Sequence, residues 1–491
     1  MAEFVDFLEA ASRFIWGPTL LIPLLLGTGL YLSVRLKGLQ FRMLKASLKL
    51  GLLTQKDEGA QGDISQFQAL MTATAATVGT GNIVGVATAI SIGGPGALFW
   101  MWVTGLLGMA TKYAEAFLAV RFRVTDAHGE KSGGPQYYLE RGIPNVFGKV
   151  LALWFAVCTV IACFGIGNLT QGNAIATNVQ NSWGVAPWLT GVVLSVLALS
   201  VLVGGIRSIG RVTAWLVPGM IVFYVVSALF ILAMKAPAIP AALQLIVTDA
   251  FTGTAAVGGF AGSGILLVVQ YGVARGLFSN ESGLGSAPMA AAAAQTAHPV
   301  RQGLVSMTQT FIDTLIVVSM TGLVIITTGA WQTIDPATGK LIGAAKMTGH
   351  AFAQGLPGEW GHWVVTAGIV LFAFSTILGW CYYGERNIER LLGVRAVRPY
   401  RILFSVMVFV GCTAELSTVW AFSDVANGLM ALPNLLGMLL LSNLIVRETR
   451  VYLRVDPDLQ AHPDEIEHRL RHQASWRAWK QSEIGSKAER S

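Results

Sequence analysis

A cluster of glycine and polar residues interrupts an apolar stretch in the first fifth of the chain. Residues 77–85 read Thr-Val-Gly-Thr-Gly-Asn-Ile-Val-Gly inside the apolar run 67–92, which is long enough to cross a bilayer as one helix. Hydrocarbon cannot satisfy the backbone groups that such a break frees, so the break must be buried in protein or face a cavity that holds a ligand. The amides of Gly81 and Asn82 suit a carboxylate, and the freed carbonyls of residues 75–79 suit a cation.

The break also carries hydroxyl groups. Close packing of helices through small residues would explain the glycines alone. Thr77 and Thr80, together with Asn82, add polarity that such packing does not need, which favours a binding site.

Two adjacent hydroxyls lie in a later apolar stretch, Phe372-Ala-Phe-Ser-Thr376. Ser375 and Thr376, with the carbonyl of Phe372 one turn earlier, offer neutral oxygens of the kind that sodium prefers. Hydroxyls in membrane helices also commonly bond to a carbonyl of their own helix. From these residues alone, both interpretations remain open.

A third polar group lies on one face of the fourth apolar stretch, because Phe164, Gly167, Asn168 and Gln171 follow helical spacing. A buried Gln171 needs a partner, which is either a substrate or a neighbouring helix. Trp380 lies deep in its span, away from the interfacial belts, and either caps a substrate pocket or packs in the core.

Charged residues inside apolar spans are functional candidates, since each needs a partner there. Arg275, Glu281 and Asp313 are predicted to form a pair or triad that braces a second broken helix, in preference to binding an ion. Lys112 and Glu115, three residues apart, are predicted to form a structural pair near the inner surface.

Composition indicates a polytopic membrane protein. Hydrophobic residues make up 53% of the 491 positions and charged residues 12%, and the mean hydropathy is +0.58. The formal charge of +7 does not indicate a nucleic-acid partner, because the basic residues lie in short loops and the C-terminal region.

Hydropathy predicts an all-α membrane protein with eleven transmembrane helices. They lie near 14–34, 66–92, 97–122, 149–178, 187–205, 212–234, 256–295, 302–328, 362–384, 400–418 and 421–446. Lysine and arginine concentrate in alternate loops, which predicts an external N-terminus and a cytoplasmic C-terminus.

Ten of the spans divide into two sets of five, each beginning with a broken helix, and this is typical of an inverted-repeat transporter. The predicted regions are an N-terminal helix with a basic amphipathic segment (1–60), two repeats (61–235 and 236–446) and a charged cytoplasmic tail (447–491). The second break is predicted at 276–285, and the glycine cluster 253–264 is a rival position.

Several longer motifs carry a family resemblance. They are Gly-Thr-Gly-Asn-Ile (79–83), Gly-Gly-Pro-Gly-Ala-Leu-Phe-Trp-Met-Trp (93–102), Gly-Gly-Pro-Gln-Tyr-Tyr-Leu (133–139), Arg-Gly-Leu-Phe-Ser-Asn-Glu-Ser-Gly-Leu-Gly-Ser-Ala-Pro (275–288) and Met-Ala-Leu-Pro-Asn-Leu (430–435). In this order they resemble the alanine or glycine:cation symporter family. The resemblance implies the leucine-transporter fold and sodium-coupled uptake of small neutral amino acids across a bacterial or archaeal plasma membrane, the inner membrane in a Gram-negative cell.

The resemblance also implies a sodium site. It would combine backbone oxygens of Ala75, Val78 and Phe372 with the hydroxyls of Ser375 and Thr376. Phe278 and Ser279 join the predicted substrate site, which otherwise comprises Thr77, Thr80, Gly81, Asn82, Phe164, Gly167, Gln171 and Trp380.

The main alternatives are a proton-coupled symporter, a channel, a membrane enzyme and a sensor. The histidines lie in predicted loops or the tail, which favours sodium over protons. A channel needs repeated rings of ligand groups, an enzyme needs a nucleophile with a base or a metal cluster, and a sensor needs a signalling domain; the sequence indicates none of these and no organic cofactor. The preferred amino acid and the oligomeric state are not predicted.

Overall fold

A computed structural model describes residues 2–53, 57, 59–252, 264–336, 339–358, 360–414 and 417–471. The described chain is almost wholly helical, apart from a short antiparallel hairpin of β1 (Val124–Thr125) and β2 (Lys131–Ser132). The helices of the first half are α1 (Ala2–Ile15), α2 (Leu21–Arg35), α3 (Leu39–Arg42), α4 (Leu44–Leu52), α5 (Gln66–Thr77), α6 (Val86–Gly93), α7 (Gly96–Arg121), α8 (Pro135–Gly142), α9 (Val146–Phe164), α10 (Thr170–Trp183), α11 (Pro187–Leu202) and α12 (Gly205–Met234).

The second half contains the remaining described helices. They are α13 (Ile239–Thr252), α14 (Ile265–Asn280), α15 (Pro288–Ala292), α16 (Pro299–Thr310), α17 (Ser319–Thr328), α18 (Ala344–Gly355), α19 (Trp360–Leu392), α20 (Val397–Thr413), α21 (Ser417–Leu440), α22 (Ser442–Val455) and α23 (Pro463–Arg471). Wider π-helical turns at Gly81–Gly85, Gly165–Leu169 and Phe311–Val318 connect α-helical pieces within three spans. Such turns often occur at functional sites.

The first broken span consists of α5, the π-turn and α6. The helix starts at a capping box, in which Ser65 Oγ accepts from the Gln68 amide and Gln68 Oε1 accepts from the Ser65 amide. It ends because Val78 has a non-helical ψ of 88°. The two halves meet at an angle of 53°. The predicted interruption of this span is therefore present.

The second break lies a few residues later than predicted. The helix α14 continues through Asn280, and α15 begins only at Pro288, whereas the sequence placed the break at 276–285. The position of the second break is determined by residues with positive φ, which do not continue a right-handed helix. Glu281, Gly283 and Gly285 have φ values of 55°, 93° and 85°. The rival position, 253–264, lies outside the described residues except for Gly264.

The described helices can be compared with the eleven predicted membrane spans. Within the described ranges, five helices are long and apolar enough to cross a membrane, and up to seven if each of two bent pairs is one span. Shorter apolar helices cover Leu21–Arg35, Pro187–Leu202 and Ala236–Thr252. The all-α class with broken helices is confirmed, while the count of eleven stays a prediction. His350 and His362, expected in loops, lie on α18 and at the start of α19.

The segment after α21 packs on the core instead of forming only a free tail. Arg301, at the start of α16, donates to Asp57 across 2.8 Å and to Asp456 across 2.6 Å. Tyr452 donates to the same Asp456 carboxylate and stacks on His298, with ring centroids 4.1 Å apart. This cluster ties the N-terminal segment and the end of α22 to α16.

Candidate functional site

The predicted cation ligands converge between α5 and α19. Ser375 Oγ lies 3.2 Å and Thr376 Oγ1 lies 3.1 Å from the carbonyl oxygen of Ala75. The same hydroxyls lie 2.8 Å and 3.0 Å from the carbonyl oxygen of Phe372. Each hydroxyl thus lies within hydrogen-bond distance of both carbonyl oxygens, which belong to two different helices, and all four residues are buried.

Val78 and Gly79 lie at the edge of this oxygen cluster. A Cβ atom added to Gly79 would lie 2.5 Å from Thr376 Oγ1 and 3.6 Å from Gln171 Oε1. Only glycine therefore allows the backbone of the first break to approach α19 so closely. Val78, a predicted ligand, is the buried residue at which α5 turns out of its helix.

The hydroxyls of Ser375 and Thr376 also satisfy the simpler interpretation, because each bonds to the Phe372 carbonyl of its own helix. Their second bond, to Ala75 on α5, is not explained by helix geometry. It joins the intact span to the broken one at the point where a cation was predicted.

The side chain of Asn82 organises the first break. Its Oδ1 atom accepts from the Gly79 amide at 3.0 Å, and its Nδ2 atom donates to Asp313 Oδ1 at 2.8 Å. Thr77 Oγ1 accepts from Gln309 Nε2 at 2.7 Å. Both partners lie on the same span, α16 with its following π-turn.

Asp313 connects this break to the second one. Its Oδ2 atom accepts from Ser279 Oγ at 2.9 Å, and Ser279 lies on the last turn of α14. The Thr314 hydroxyl donates to the same oxygen at 2.9 Å. Gly81 packs against Phe278 and Ser279, since an added Cβ atom would lie 3.2 Å from Phe278 Cδ1. Predicted substrate residues of the two breaks therefore lie close together. Thr80, which precedes Gly81 in the first break, is also buried.

The second break has a further brace that the sequence did not predict. Glu115 Oε1 accepts from the Gly285 amide at 3.0 Å and from Asn434 Nδ2 at 2.6 Å. Lys112 Nζ lies 4.0 Å from Glu115 Oε2, and both side chains are fully buried. The pair therefore lies at the second break, and Glu115 fixes the irregular backbone there.

The three charges predicted to form a pair or triad that braces the broken helix do not pair with one another. Among the described residues, no ion pair within 4.0 Å joins Arg275, Glu281 and Asp313 to one another. Glu281 accepts from Ser286 Oγ at 2.6 Å within its own break. Arg275 lies over the ring of Phe278, 5.7 Å from its centroid.

Of the two polar residues predicted on the fourth span, Gln171 lies near the first break, whereas Asn168 bonds to α20. Gln171 Nε2 donates to the Ile166 carbonyl of its own helix, while its buried Oε1 atom finds no hydrogen-bond partner in the described part of the chain. That oxygen is the one near Gly79, so Gln171 contacts the first break with a free acceptor. Asn168 Nδ2 instead donates to the Phe404 carbonyl of α20 at 2.7 Å.

Trp380 and Phe164, two aromatic residues predicted in the substrate site, have different surroundings. Trp380 is buried and packs on Gly167, where an added Cβ atom would lie 2.3 Å from Trp380 Cβ. Phe164 lies apart from the breaks, because its ring packs against Tyr400 and Phe404 at centroid distances of 5.4 Å and 5.5 Å. Core packing with α20 is what its contacts show.

Several residues around the breaks were missed by sequence reasoning. Gln309 precedes Asp313 by four residues, so the two share a helix face, and this polar spacing in an apolar span was the available signal. Asn434 directly follows Pro433 inside α21 and lies in one of the quoted motifs. Thr348, which donates to the Ile83 carbonyl at 3.0 Å, lies on α18 and gave no sequence signal.

Comparison with known proteins supports the family. A protein-family model, that of the sodium:alanine symporter family, matches residues 1–465. The chain is 49% identical over 453 residues to the sodium/alanine symporter AgcS of Methanococcus maripaludis, which covers 92% of this chain and 97% of AgcS. It is also 49% identical over 450 residues to an uncharacterized transporter of Haemophilus influenzae, with 91% and 96% covered.

A solved structure supports the fold. The crystal structure of MhsT in complex with L-phenylalanine aligns with a TM-score of 0.55 and 14% sequence identity, covering 83% of this chain and 93% of that chain. At this identity the likeness concerns the fold alone.

These findings confirm the family expected from the motifs and the leucine-transporter-like fold. They show that the protein is a multi-pass membrane transporter and not an enzyme. Sodium is the co-transported ion of its family. The chain belongs to the sodium:alanine symporter family.

Proposed function

We propose that this protein uses the inward movement of sodium to take up small neutral amino acids, such as alanine or glycine, by alternating access. The observation that carries the proposal is the meeting of the Ser375 and Thr376 hydroxyls with the Ala75 carbonyl of the broken span. A bound sodium ion would lie between these oxygens in place of their hydrogen bonds, with the neutral hydroxyls turning their O–H groups away from it, and the carbonyls of Val78 and Phe372 would complete its coordination.

The amino acid would bind beside this ion, between the two breaks. Its carboxylate would accept from the amide of Gly81, which starts the second half of the first broken span. The Asn82 amide donates to the Gly79 carbonyl at 3.2 Å in this structure, so the carboxylate would have to replace that carbonyl to accept from Asn82 as well. Gln171 Oε1, a buried acceptor without a partner, suits the ammonium group. Trp380 and Phe278 would limit the size of the side chain.

Sodium and the amino acid would assist each other through the first break. An ion between α5 and α19 fixes the backbone that leads into Gly79, and that backbone presents the Gly81 amide to the carboxylate. Binding of either ligand therefore raises the affinity for the other by the same factor. Asp313, which bonds to both breaks, would make the two broken spans respond as one unit.

The direction of transport follows from the sodium gradient. Lysine and arginine in alternate loops favour an external N-terminus and a cytoplasmic C-terminus in a plasma membrane. The broken spans would rock against the remaining helices, and low cytoplasmic sodium would favour release there. Arg275, Glu281 and Asp313 would brace the broken helices without binding the ion themselves.

Uptake by purified protein in liposomes tests the proposal. An inward sodium gradient should drive accumulation of labelled alanine, and an inward proton gradient with potassium on both sides should not. Liposomes without protein provide the background. Equal accumulation under the proton gradient alone would contradict sodium coupling and favour the proton-coupled alternative.

A further inference from the structure

A cavity open to solvent lies between α1, α14 and α21. Its walls include Arg13 and Trp16 of the N-terminal region, Gln270 and Arg275 of α14, and Asp424 of α21. The helix α2 leads from α1 to the arginine-rich side at Arg35, so α1 and this cavity lie toward the opposite, proposed outer side.

The N-terminal region forms a fixed wall of this cavity. Trp16 Nε1 donates to the Asp424 carbonyl at 2.9 Å. Gly428, one turn further along α21, allows close packing, since an added Cβ atom would lie 2.4 Å from Ile15 Cγ2. These contacts hold α1 against α21 and keep the cavity a defined space.

Two opposite charges line the cavity without pairing directly. Within the described part of the chain, no ion pair within 4.0 Å joins Arg275 to Asp424, although the two are near enough to interact electrostatically. Arg275 Nε is buried and has no hydrogen-bond partner among the residues that the structure describes. A buried, unsatisfied N–H group is unfavourable, so this side chain is suited to receive an acceptor from a ligand.

The floor of the cavity is Phe278, which separates it from the first break. The Phe278 ring also packs on Gly81, whose amide belongs to the proposed carboxylate site. A ligand in the cavity would therefore lie one phenyl ring away from the central site.

We propose that this cavity is an entry subsite that holds a zwitterionic amino acid, with its carboxylate on Arg275 and its ammonium group on Asp424, before it passes Phe278. The inference rests on the proposed function, since it concerns the same substrate. Arg275 and Asp424 are half-buried charges of opposite sign, whereas Arg13 is exposed. Together, Arg275 and Asp424 favour a zwitterion, because the arginine disfavours a simple cation and the aspartate disfavours a simple anion. Binding here requires no sodium, because the predicted sodium oxygens lie beyond the break.

Cysteine protection tests the subsite. In a Gln270→Cys variant reconstituted in sodium-free potassium buffer, labelling by a membrane-impermeant methanethiosulfonate is measured with and without external L-alanine. We expect alanine to slow labelling, and propionate or ethylamine, which each lack one charged group, not to do so. The parent chain, whose Cys163, Cys381 and Cys412 are buried and Cys158 half-buried, gives the background rate.

Charge variants in the Gln270→Cys background locate the ligand contacts. Arg275→Gln and Asp424→Asn should each raise the alanine concentration for half-maximal protection about tenfold, as expected for loss of a charged hydrogen bond. Asp424→Glu keeps the carboxylate and should retain protection, which separates the loss of charge from misfolding. Each rate is compared with the alanine-free rate of the same variant.

The result separates this subsite from the central one. Gln171→Ala should raise the alanine concentration for half-maximal sodium-driven uptake and leave sodium-free protection unchanged. No protection by alanine in Gln270→Cys, or equal protection by propionate, would overturn the subsite even if sodium-driven uptake is intact. Protection that persists without sodium-driven uptake would support the subsite and contradict the proposed function instead.

Discussion

Asn82 Nδ2 donates to Asp313 Oδ1 across 2.8 Å, and this bond joins the first broken span to the helix that also contacts the second break. The other oxygen of Asp313 accepts from Ser279 on the last turn of α14. One buried carboxylate thus determines the distance between the two interruptions. The proposed amino-acid site lies between them, so its geometry depends on Asp313.

Replacing Asp313 with asparagine should impair uptake. Both carboxylate oxygens accept hydrogen bonds, and an amide offers one acceptor and one NH2 group, which would face a donor. We expect Asp313→Asn to reduce the initial rate of sodium-driven alanine uptake about tenfold, the loss of one charge-assisted bond. Asp458→Asn, at an exposed position, is the control. Wild-type rates in Asp313→Asn would show that the carboxylate does not organise the site.

Adding a methyl group at Gly79 should weaken sodium binding. The new Cβ atom would lie 2.5 Å from Thr376 Oγ1 and would displace a predicted ligand. Overpacking of this kind costs about 1–3 kcal/mol, so the sodium concentration for half-maximal uptake should rise about tenfold. Gly85→Ala, in the same span with no atom within 4 Å of the added Cβ, should remain near wild type. Similar effects in both variants would indicate general disruption of the span.

Replacing one member of the buried pair of Lys112 and Glu115 should reduce stability more than replacing both members. Glu115→Gln leaves Lys112 buried without an acid and should lower the free energy of unfolding by about 3 kcal/mol. The double variant Lys112→Met/Glu115→Gln removes the uncompensated charge and should be less destabilised than Glu115→Gln. Thermal unfolding in detergent provides the comparison. A double variant less stable than Glu115→Gln would contradict this account.

Acidification should destabilise the protein through His298. This residue caps α16 at its N-terminal end, and burial, followed by the charges of Arg121 and Arg301, lowers its pKa to about 3 from 6.5. Because the folded pKa lies below the unfolded one, the stabilisation is complete above pH 6.5 and is lost toward pH 3, at about 1.4 kcal/mol per pH unit.

The variant His298→Asn keeps a capping side chain without a group that titrates in this range. We therefore expect wild-type protein to lose more thermal stability than His298→Asn between pH 7 and pH 5. Parallel losses in the two proteins would show that His298 does not remain neutral in the folded state.

The sequence predicted the broken spans because glycine, hydroxyl and charged residues are unusual in apolar stretches. The full set of cation ligands is implied by the family resemblance and stays a prediction. The sequence did not predict the exact second break, since the positive φ of Glu281 depends on tertiary contacts. Nor did it predict the role of Glu115, whose partner Asn434 is more than 300 positions away. Phe164 shared a helix face with Gln171, but only packing against Tyr400 and Phe404 revealed its orientation. Pairings between distant helices are the part that composition and spacing do not determine.

The dependence of uptake on sodium in hydroxyl variants tests the central claim most directly. Initial alanine uptake into liposomes is measured against external sodium, at an alanine concentration saturating for each variant. Thr376→Ala removes one ligand oxygen and should raise the half-maximal sodium concentration about tenfold. Gln171→Ala should raise the alanine requirement and leave this sodium value unchanged. Thr413→Ala, whose hydroxyl bonds only within its own helix, should match wild type in both respects. The same sodium dependence in Thr376→Ala, Gln171→Ala and wild type would contradict a sodium site at Ala75, Phe372, Ser375 and Thr376.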